Sequence, residues 1–307
     1  MTYKLPDIEK SYIPKVLLLG NGINKSFNRD SWDEMLKNIK EENITEQDLE
    51  IIKNLPYPLQ AVAITKDQVD KKLEDFSEEL VKIEITDEQQ SMIRSLLECN
   101  FDAILTTNYT YEIEKSIDPE FSCKPKSRCK CRKKDVIDKY LTSKEKQYGL
   151  YRYMHLEKSD KQYNIWHIHG EAARPESMVL GHYYYGKLLS TVQNVVSKYM
   201  KKYHAKSEKI RLQNWVDYFL MGDVYILGFG LDLSEMDIWW LINCKKRNNP
   251  EGKVYYIEPN MDLEKNVGKK VLLQTYGVEI ITELVNDGEY RDYYNRMIDF
   301  IKEKIKD

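Results

Sequence analysis

Two histidines two residues apart stand out in a sequence that has five histidines in 307 residues. His167 and His169 lie in the stretch NIWHIHG, which ends at Gly170. The apolar residues around them predict a strand over Ile165 to Ile168, in which alternate side chains share a face and both imidazoles point the same way. Imidazole exchanges protons near neutral pH, so a ring at the end of a strand suits acid–base chemistry. Packing in the core is the alternative for either ring.

Four short apolar runs predict the strands that would position these rings. They cover residues 15–20, 101–105, 223–227 and 253–257, and each resembles a strand buried on both faces. Helical patterns separate them, which predicts crossover connections and an α/β fold with a Rossmann-like doubly wound parallel sheet. Ligands of such sheets bind beyond the carboxyl ends of the strands. The residues found there are Gly20-Asn21-Gly22, Thr106-Thr107-Asn108-Tyr109, Gly228-Phe229-Gly230 and Glu258-Pro259-Asn260.

These segments allow specific ligand contacts, each with a simpler alternative. Gly20 and Gly22 let backbone amides approach a pyrophosphate, although Lys25 occupies the third glycine position of the dehydrogenase fingerprint and an ordinary turn is the alternative. The amide of Asn108 can orient a water or a ribose hydroxyl, or it can cap the next helix. Asp232 either contacts a ligand or caps a helix that begins near Glu235. Asp237 lies inside that helix and is expected to support the crevice.

The chain is interpreted as a single domain over residues 1–307 with helical insertions at about 41–98, 119–161 and 183–215. A helical pattern runs from Leu188 to Leu220, and an amphipathic helix over Tyr290 to Ile305 closes the chain. The 47 basic and 50 acidic residues nearly balance, so direct nucleic-acid binding is not expected, and the basic run Lys124 to Lys134 is interpreted as a solvated loop.

The first 15 residues contain no apolar segment typical of a signal peptide, and no run reaches the length of a membrane span. A cytoplasmic location without membrane attachment is therefore expected. Cys99 and Cys244 lie in apolar segments and are predicted to be buried thiols. The more polar group of Cys123, Cys129 and Cys131 lacks a fourth ligand and a CxxC pair, so no metal is expected, although zinc stays an alternative for these three.

The ordered set GNGIN, TTNY, HIHG and GFGLDLSEMD resembles the sirtuin-like (Sir2-type) superfamily, in particular its bacterial antiphage-defence branch. The resemblance extends from Val16 to about Ile281, with looser agreement in the insertions. It implies a Rossmann-like domain with NAD as the substrate. Protein-deacylating sirtuins carry paired CxxC zinc knuckles after the histidine, and none follow His169, so the resemblance favours hydrolysis of NAD itself over deacylation.

The resemblance also implies residue roles. His169 would be the catalytic base on the ribose hydroxyls, and Asn108 would hold the nicotinamide ribose and the attacking water. Glu258 would accept hydrogen bonds from the hydroxyls of the adenosine ribose. The remaining NAD contacts would come from Gly20, Asn21, Gly22, Asn24, Thr107, Gly228, Gly230 and Asp232.

The function expected from this resemblance is cleavage of the nicotinamide N-glycosidic bond by a regulated effector that depletes NAD in abortive infection. The chain is expected to form a homo-oligomer or to act with a partner such as a HerA-like ATPase. The alternatives are a nucleotide-binding sensor or scaffold with little turnover, an NAD-dependent protein deacylase and, least favoured, a dehydrogenase. The expected product is ADP-ribose or its cyclic form.

Overall fold

The central feature of the computed structural model, which describes residues 5–27, 32–123, 136–138, 149–248 and 252–306, is a mixed sheet. Within these residues the sheet has eight strands in the order β10-β9-β8-β2-β3-β6-β5-β4. A separate antiparallel pair joins β1 to β7. The strands are β1 (Asp7–Glu9), β2 (Lys15–Leu19), β3 (Ala103–Thr106), β4 (Val136–Asp138), β5 (Arg152–Lys158), β6 (Lys161–His167), β7 (Lys209–Arg211), β8 (Asp223–Leu227), β9 (Val254–Ile257) and β10 (Glu279–Ile281).

Helices cover both faces of this sheet. The described residues form α1 (Gly22–Ser26), α2 (Trp32–Ile39), α3 (Glu46–Ile52), α4 (Tyr57–Thr65), α5 (Val69–Leu80), α6 (Asp87–Leu97), α7 (Glu112–Ile117), α8 (His182–Tyr203), α9 (Trp215–Met221), α10 (Met236–Asn248), α11 (Val267–Thr275) and α12 (Tyr290–Lys306), with short 3-10 turns at Pro175–Ser177 and Glu264–Asn266. None of these helices combines the length and hydropathy that a bilayer crossing requires.

The order of the six parallel strands is that of a doubly wound fold. Across the sheet the parallel strands lie in the order β6, β3, β2, β8, β9 and β10. When these six strands are numbered as they occur along the chain, that order is 3-2-1-4-5-6. This is the strand order of a Rossmann fold, and it places the switch in winding direction between β2 and β8. The predicted Rossmann-like α/β class is confirmed.

The apolar runs form central strands because both of their faces are covered. In β2, Leu17 and Leu19 pack into the core on one face of the sheet, whereas Val16 and Leu18 pack into the core on the other. Alternate residues of a strand point to opposite faces, so an unbroken apolar run suits a strand between two helical layers. All five residues of β8 are buried for the same reason.

The insertions depart from the predicted pattern in two places. The helix expected from Leu188 to Leu220 is wrong as one element, since α8 ends at Tyr203 and β7 separates it from α9. The strand β7 pairs with β1, so a long-range contact overrides the local helical pattern. Within the insertion at 119–161, β5 extends the main sheet by pairing antiparallel with β6. The basic run Lys124 to Lys134 lies outside the described residues.

Candidate functional site

The carboxyl ends of β2 and β8 are joined by direct contact between their glycine loops. The amide of Gly22 donates to the carbonyl of Gly228 at 2.7 Å, and the amide of Gly20 donates to Leu227 at 3.0 Å. A Cβ at Gly22 would lie 2.1 Å from the Tyr294 hydroxyl, and one at Gly20 would lie 2.5 Å from the Gly228 carbonyl. The close packing of these loops therefore explains the glycines at 20, 22 and 228 without a ligand.

Gly230 has a different environment from the other predicted glycines. It is exposed, and a Cβ built there meets no atom within 4 Å. Its carbonyl accepts a hydrogen bond from Lys269 Nζ at 2.6 Å. Of the four glycines predicted to contact NAD, Gly230 is therefore the one that packing does not require.

His169 lies just beyond β6 and reaches the start of the helix that follows β8. Its Nε2 is 2.9 Å from Asp237 Oδ2, in the first turn of α10, and 3.7 Å from Glu235 Oε2. Tyr185 of α8 contacts the ring edge-on, with centroids 5.5 Å apart. Nδ1 of His169 makes no hydrogen bond to a described residue, so Asp237 fixes the ring through one nitrogen and leaves the other unpaired.

The two carboxylates change the protonation of this site. Burial by itself lowers the pKa of His169, but the neighbouring Asp237 and Glu235 outweigh that effect and raise the pKa to about 9. Burial raises the pKa of Glu235 to about 7, against the opposing effect of His169. The imidazole is therefore protonated at neutral pH in the ligand-free protein, whereas the sequence analysis relied on a near-neutral value.

The donor atoms of His169, Glu235 and Asp237 form a compact set. One atom from each residue lies within 4.8 Å of the others. The side chain of Asp237 is fully buried, and that of Glu235 is 15% exposed. Glu235 Oε2 and Asp237 Oδ1 are buried, and neither has a hydrogen-bond partner among the described residues. An imidazole and two carboxylates in this arrangement are able to bind a cation or the polar groups of a substrate.

His167 has partners of its own and does not contact the His169 set. Its Nε2 is 2.9 Å from Glu114 Oε1 in α7, and its Nδ1 donates to the Asn108 carbonyl at 2.8 Å. The strand ends at His167, where the amide of Gly170 bonds back to the His167 carbonyl. The prediction that both imidazoles share one strand face is wrong, because His167 packs against Tyr111 and His169 against Tyr185. These two tyrosines belong to the cores on opposite faces of the sheet.

Asn108 is held at the end of β3 by three hydrogen bonds. Its backbone carbonyl accepts a hydrogen bond from His167, and its backbone N–H donates one to Thr106 Oγ1 at 3.1 Å. Its side-chain Nδ2 donates to the Gly20 carbonyl at 3.3 Å. The side chain does not cap α7, which has Tyr111 at its N-cap. The neighbouring Thr107 is half-buried and pairs through its backbone with Leu19. Asn108 thus bridges the β3 and β2 loops, 9% exposed at the sheet edge.

Asn24 has a structural role within a buried polar cluster. It is 3% exposed, and its side chain accepts from Gln89 at 2.7 Å and donates to Glu112 at 3.2 Å. It also donates to Asn21 Oδ1 at 2.8 Å. These contacts use both ends of the amide, so the predicted NAD contact would require this cluster to rearrange.

Glu258 follows β9 on the far side of the same edge. Its Oε2 is buried without a hydrogen-bond partner, and burial raises its pKa to about 7 although Lys269 and Lys25 lower it. Asp232 serves its own loop, since its Oδ1 accepts from the Ser234 amide at 2.8 Å and from the Ser234 hydroxyl. A turn within the loop therefore accounts for Asp232, which does not cap α10 as the alternative predicted, because that helix begins at Met236. Glu258 retains an oxygen for a ligand.

No role in the chemistry was predicted for Glu235, Asp237 and Tyr185. Asp237 was expected only to support the crevice from within a helix. A signal was present, because two acidic residues at the start of the helix after the switch strand stand where ligands of this fold bind. The contact of Glu235 and Asp237 with His169 forms only because the loop after β6 crosses the edge of the sheet. The local sequence pattern does not predict the path of that loop.

The cysteines form no metal centre among the described residues. Cys99 and Cys123 are buried, as expected for Cys99, and Cys244 is half-buried. Burial raises the pKa of the Cys123 thiol to about 12. Cys129 and Cys131 lie outside the described residues, so the alternative of a zinc site there stays a hypothesis.

A separate cleft of about 340 Å³ opens at the opposite edge of the sheet. Its lining includes Tyr12, Asp102 and Asn164, which lie near the amino ends of β2, β3 and β6. A much smaller cavity of about 10 Å³, large enough for about one water molecule, lies beside His167 and Glu171. The doubly wound fold places its ligand crevice at the carboxyl ends, so the His169 set and not the larger cleft is the candidate site.

The strand order and the polar groups at the carboxyl edge define a protein of the Rossmann-like α/β class. Residues 23–256 match the family described as bacteriophage abortive infection AbiH. The match covers more than half of the 307 residues, and the chain belongs to the AbiH family. No curated protein matches the chain. Membership supports the antiphage part of the expected function.

Proposed function

We propose that this AbiH-family chain cleaves NAD at the nicotinamide N-glycosidic bond and so depletes NAD during abortive infection. The observation that carries the proposal is the buried His169 imidazole at the carboxyl edge of the sheet, oriented through Nε2 by Asp237 with Nδ1 left unpaired. Family membership supports the defence role, and the resemblance in sequence to sirtuin-like NAD hydrolases supports the substrate.

The residue types suit this reaction because nicotinamide leaves as a neutral molecule. Its positive charge is discharged as the bond breaks, so no proton donor is needed for the leaving group. The site must instead stabilise a ribose with oxocarbenium character and position a water. The carboxylates of Glu235 and Asp237 supply negative charge for the first task, and the Asn108 amide supplies orientation for the second.

The raised pKa of His169 is compatible with a role as proton acceptor once NAD is bound. The nicotinamide ring carries a positive charge before cleavage, and a nearby like charge disfavours the imidazolium. Binding of NAD would therefore lower the pKa of His169 from about 9 toward neutrality. In the neutral ring Nε2–H donates to Asp237, and Nδ1 is free to accept a proton from a ribose hydroxyl.

The other proposed NAD contacts fall into two groups, according to whether the residue has a free atom or open space for a ligand. Glu258 has an unpaired buried oxygen and Gly230 has open space, so both remain proposed contacts for the adenosine half. Gly20, Asn21, Gly22, Thr107 and Gly228 would contribute through the backbone of the loops they form, and Asn24 and Asp232 would act by holding those loops.

The NAD-cleaving activity must be regulated, since unchecked loss of NAD would kill an uninfected host. We propose that activity depends on assembly, either as a homo-oligomer or with a partner such as a HerA-like ATPase. No direct contact with nucleic acid or membrane is proposed, because the charges balance.

The decisive experiment incubates the purified protein with NAD, alone and with the product of a neighbouring gene, and separates the products by chromatography. We expect nicotinamide together with ADP-ribose or its cyclic form. Asn108→Ala and His169→Ala should abolish this loss, whereas His204→Ala, at an exposed histidine beyond α8, should not. Cleavage by either site variant at the parent rate would contradict the site assignment. Tight NAD binding without loss would favour the scaffold alternative, and acetyl-ADP-ribose from an acetylated peptide would favour the deacylase.

A further inference from the structure

We propose that His169, Glu235 and Asp237 form a divalent-cation site whose occupation silences the NAD-cleaving site. The silencing part rests on the proposed function, whereas the cation site itself does not. No metal was expected because Cys123, Cys129 and Cys131 lack a fourth ligand and a CxxC pair, but this donor set consists of different residues in a different part of the fold.

The separations match those between ligands of one ion. Oxygen or nitrogen ligands about 2.1 Å from a cation are about 3.0 Å apart in octahedral and about 3.4 Å apart in tetrahedral geometry. Nε2 of His169 lies 2.9 Å from Asp237 Oδ2 and 3.7 Å from Glu235 Oε2. A cation can therefore be placed among the three with small side-chain rotations.

The charges at the site also favour the binding of a cation. Two carboxylates face one imidazole in a largely desolvated position, and no lysine or arginine of the described chain forms an ion pair with either carboxylate. Buried carboxylate oxygens are costly without a partner. Glu235 Oε2 and Asp237 Oδ1 are two such oxygens in one site, and Asp237 is 1% exposed.

The surroundings help to hold the imidazole in place. Tyr185 packs edge-on against the His169 ring, which restricts that side chain. Three protein ligands with a further position for water or substrate are typical of reactive metal sites, and four are typical of structural ones. One imidazole and two carboxylates suit first-row divalent ions such as Mn²⁺ or Zn²⁺.

Occupation would oppose cleavage of NAD in two ways. A cation bound to Nε2 prevents the imidazole from acting as the Asp237-oriented proton acceptor. It also neutralises the two carboxylates, which then no longer stabilise positive charge on the ribose. A bound divalent ion is commonly the largest local charge in a site, so both effects should be strong.

The test uses Mn²⁺ as the probe, because its preference for oxygen ligands avoids competition from the cysteines. The intact protein is titrated, and free Mn²⁺ is measured by its electron paramagnetic resonance signal. We expect one site per chain, and a loss of affinity of more than about tenfold in Glu235→Gln and Asp237→Asn. The matched control is Glu258→Gln, which alters another buried carboxylate at the same sheet edge and should bind normally.

Folding is checked by circular dichroism and thermal melting. If Asp237→Asn fails to fold, Glu235→Gln decides the test, since its side chain is partly exposed. Absence of Mn²⁺ binding up to about 1 mM, or equal affinity in the parent and in Glu235→Gln, overturns the proposal.

A separate measurement follows NAD cleavage with Mn²⁺ and with a chelator. We expect slower cleavage with Mn²⁺ in the parent protein. Unchanged cleavage with the site filled would overturn the silencing role. If the protein cleaves no NAD under any condition but loses Mn²⁺ binding on Glu235→Gln, the cation site stands and the proposed NAD hydrolysis fails.

Discussion

Nε2 of His169 lies 2.9 Å from Oδ2 of Asp237, which links the end of β6 to the first turn of the helix after β8. These two strands are separated in the sheet by β2 and β3, so the contact spans the carboxyl edge across the point where the winding changes direction. It joins a residue predicted to act on the ribose with one predicted only to support the crevice.

Asp237→Asn should therefore lower NAD cleavage by about a hundred- to ten-thousand-fold while the protein stays folded. The asparagine has nearly the same shape, but it lacks the charge and can fix the imidazole in the wrong tautomer. The initial rate of nicotinamide release is the measurement, with Asp287→Asn at an exposed position as the control. A rate within threefold of the parent rate would show that Asp237 does not orient His169.

The glycines at the carboxyl edge should separate into structural and ligand-contacting positions. Gly22→Ala places a Cβ 2.1 Å from the Tyr294 hydroxyl and 2.6 Å from Gly228 Cα, so we expect it to lower the free energy of unfolding by about 1–3 kcal/mol. Gly230→Ala meets no atom and should leave that free energy unchanged. Urea denaturation followed by circular dichroism measures both.

A double variant tests the cause of the Gly22 effect. Tyr294→Phe removes the hydroxyl that the new Cβ meets, so Gly22→Ala should cost less in that background than in the parent. An equal cost in both backgrounds would mean that the Gly228 backbone is the main obstacle. In the NAD assay, a raised KM for Gly230→Ala would mark Gly230 as a ligand contact.

The sequence was sufficient for the central sheet but not for the site. Apolar runs such as Val16 to Leu19 are specified by burial on both faces, which is a local pattern, and their strands lie where predicted. The partners of His169 and His167 are 68 and 53 residues away in the chain, and neither contact has a local pattern. The strand β7 was missed for the same reason, because its pairing with β1 spans most of the chain.

His167 and Glu114 form a buried ion pair that should contribute strongly to stability. The Glu114 side chain is fully buried, and its Oε1 lies 2.9 Å from His167 Nε2. Removing one partner of such a pair leaves a buried charge without compensation, so Glu114→Ala should lower the free energy of unfolding by about 3–5 kcal/mol.

The control for this prediction is a glutamate that lies beside a histidine but is itself exposed. Glu157 is 67% exposed and lies 3.4 Å from His155. Glu157→Ala should therefore cost less than about 1 kcal/mol. Equal costs for the two glutamates in urea denaturation would contradict the assignment of Glu114 as the partner of a buried charge.

Lys245 should make stability rise with pH in the alkaline range. Its ammonium is 2% exposed and donates to the carbonyls of Leu220 and Gly222 at 2.8 and 2.7 Å. Burial lowers its pKa from 10.5 to about 7, although the nearby Asp223 opposes this effect. Between about pH 7 and 10.5 the unfolded chain therefore binds a proton that the folded chain does not, so the free energy of unfolding increases as pH rises through this window.

Lys245→Met tests this relation because it removes the titrating group and keeps the length of the side chain. The difference in unfolding free energy between parent and variant should change by a few kcal/mol from pH 7 to pH 10, in the direction that favours the parent at high pH. Lys246→Met, on the neighbouring residue of α10, should leave the parent's pH dependence intact. A difference between parent and Lys245→Met that stays constant across this range would mean that the buried ammonium keeps its proton, with the two carbonyls compensating for its burial.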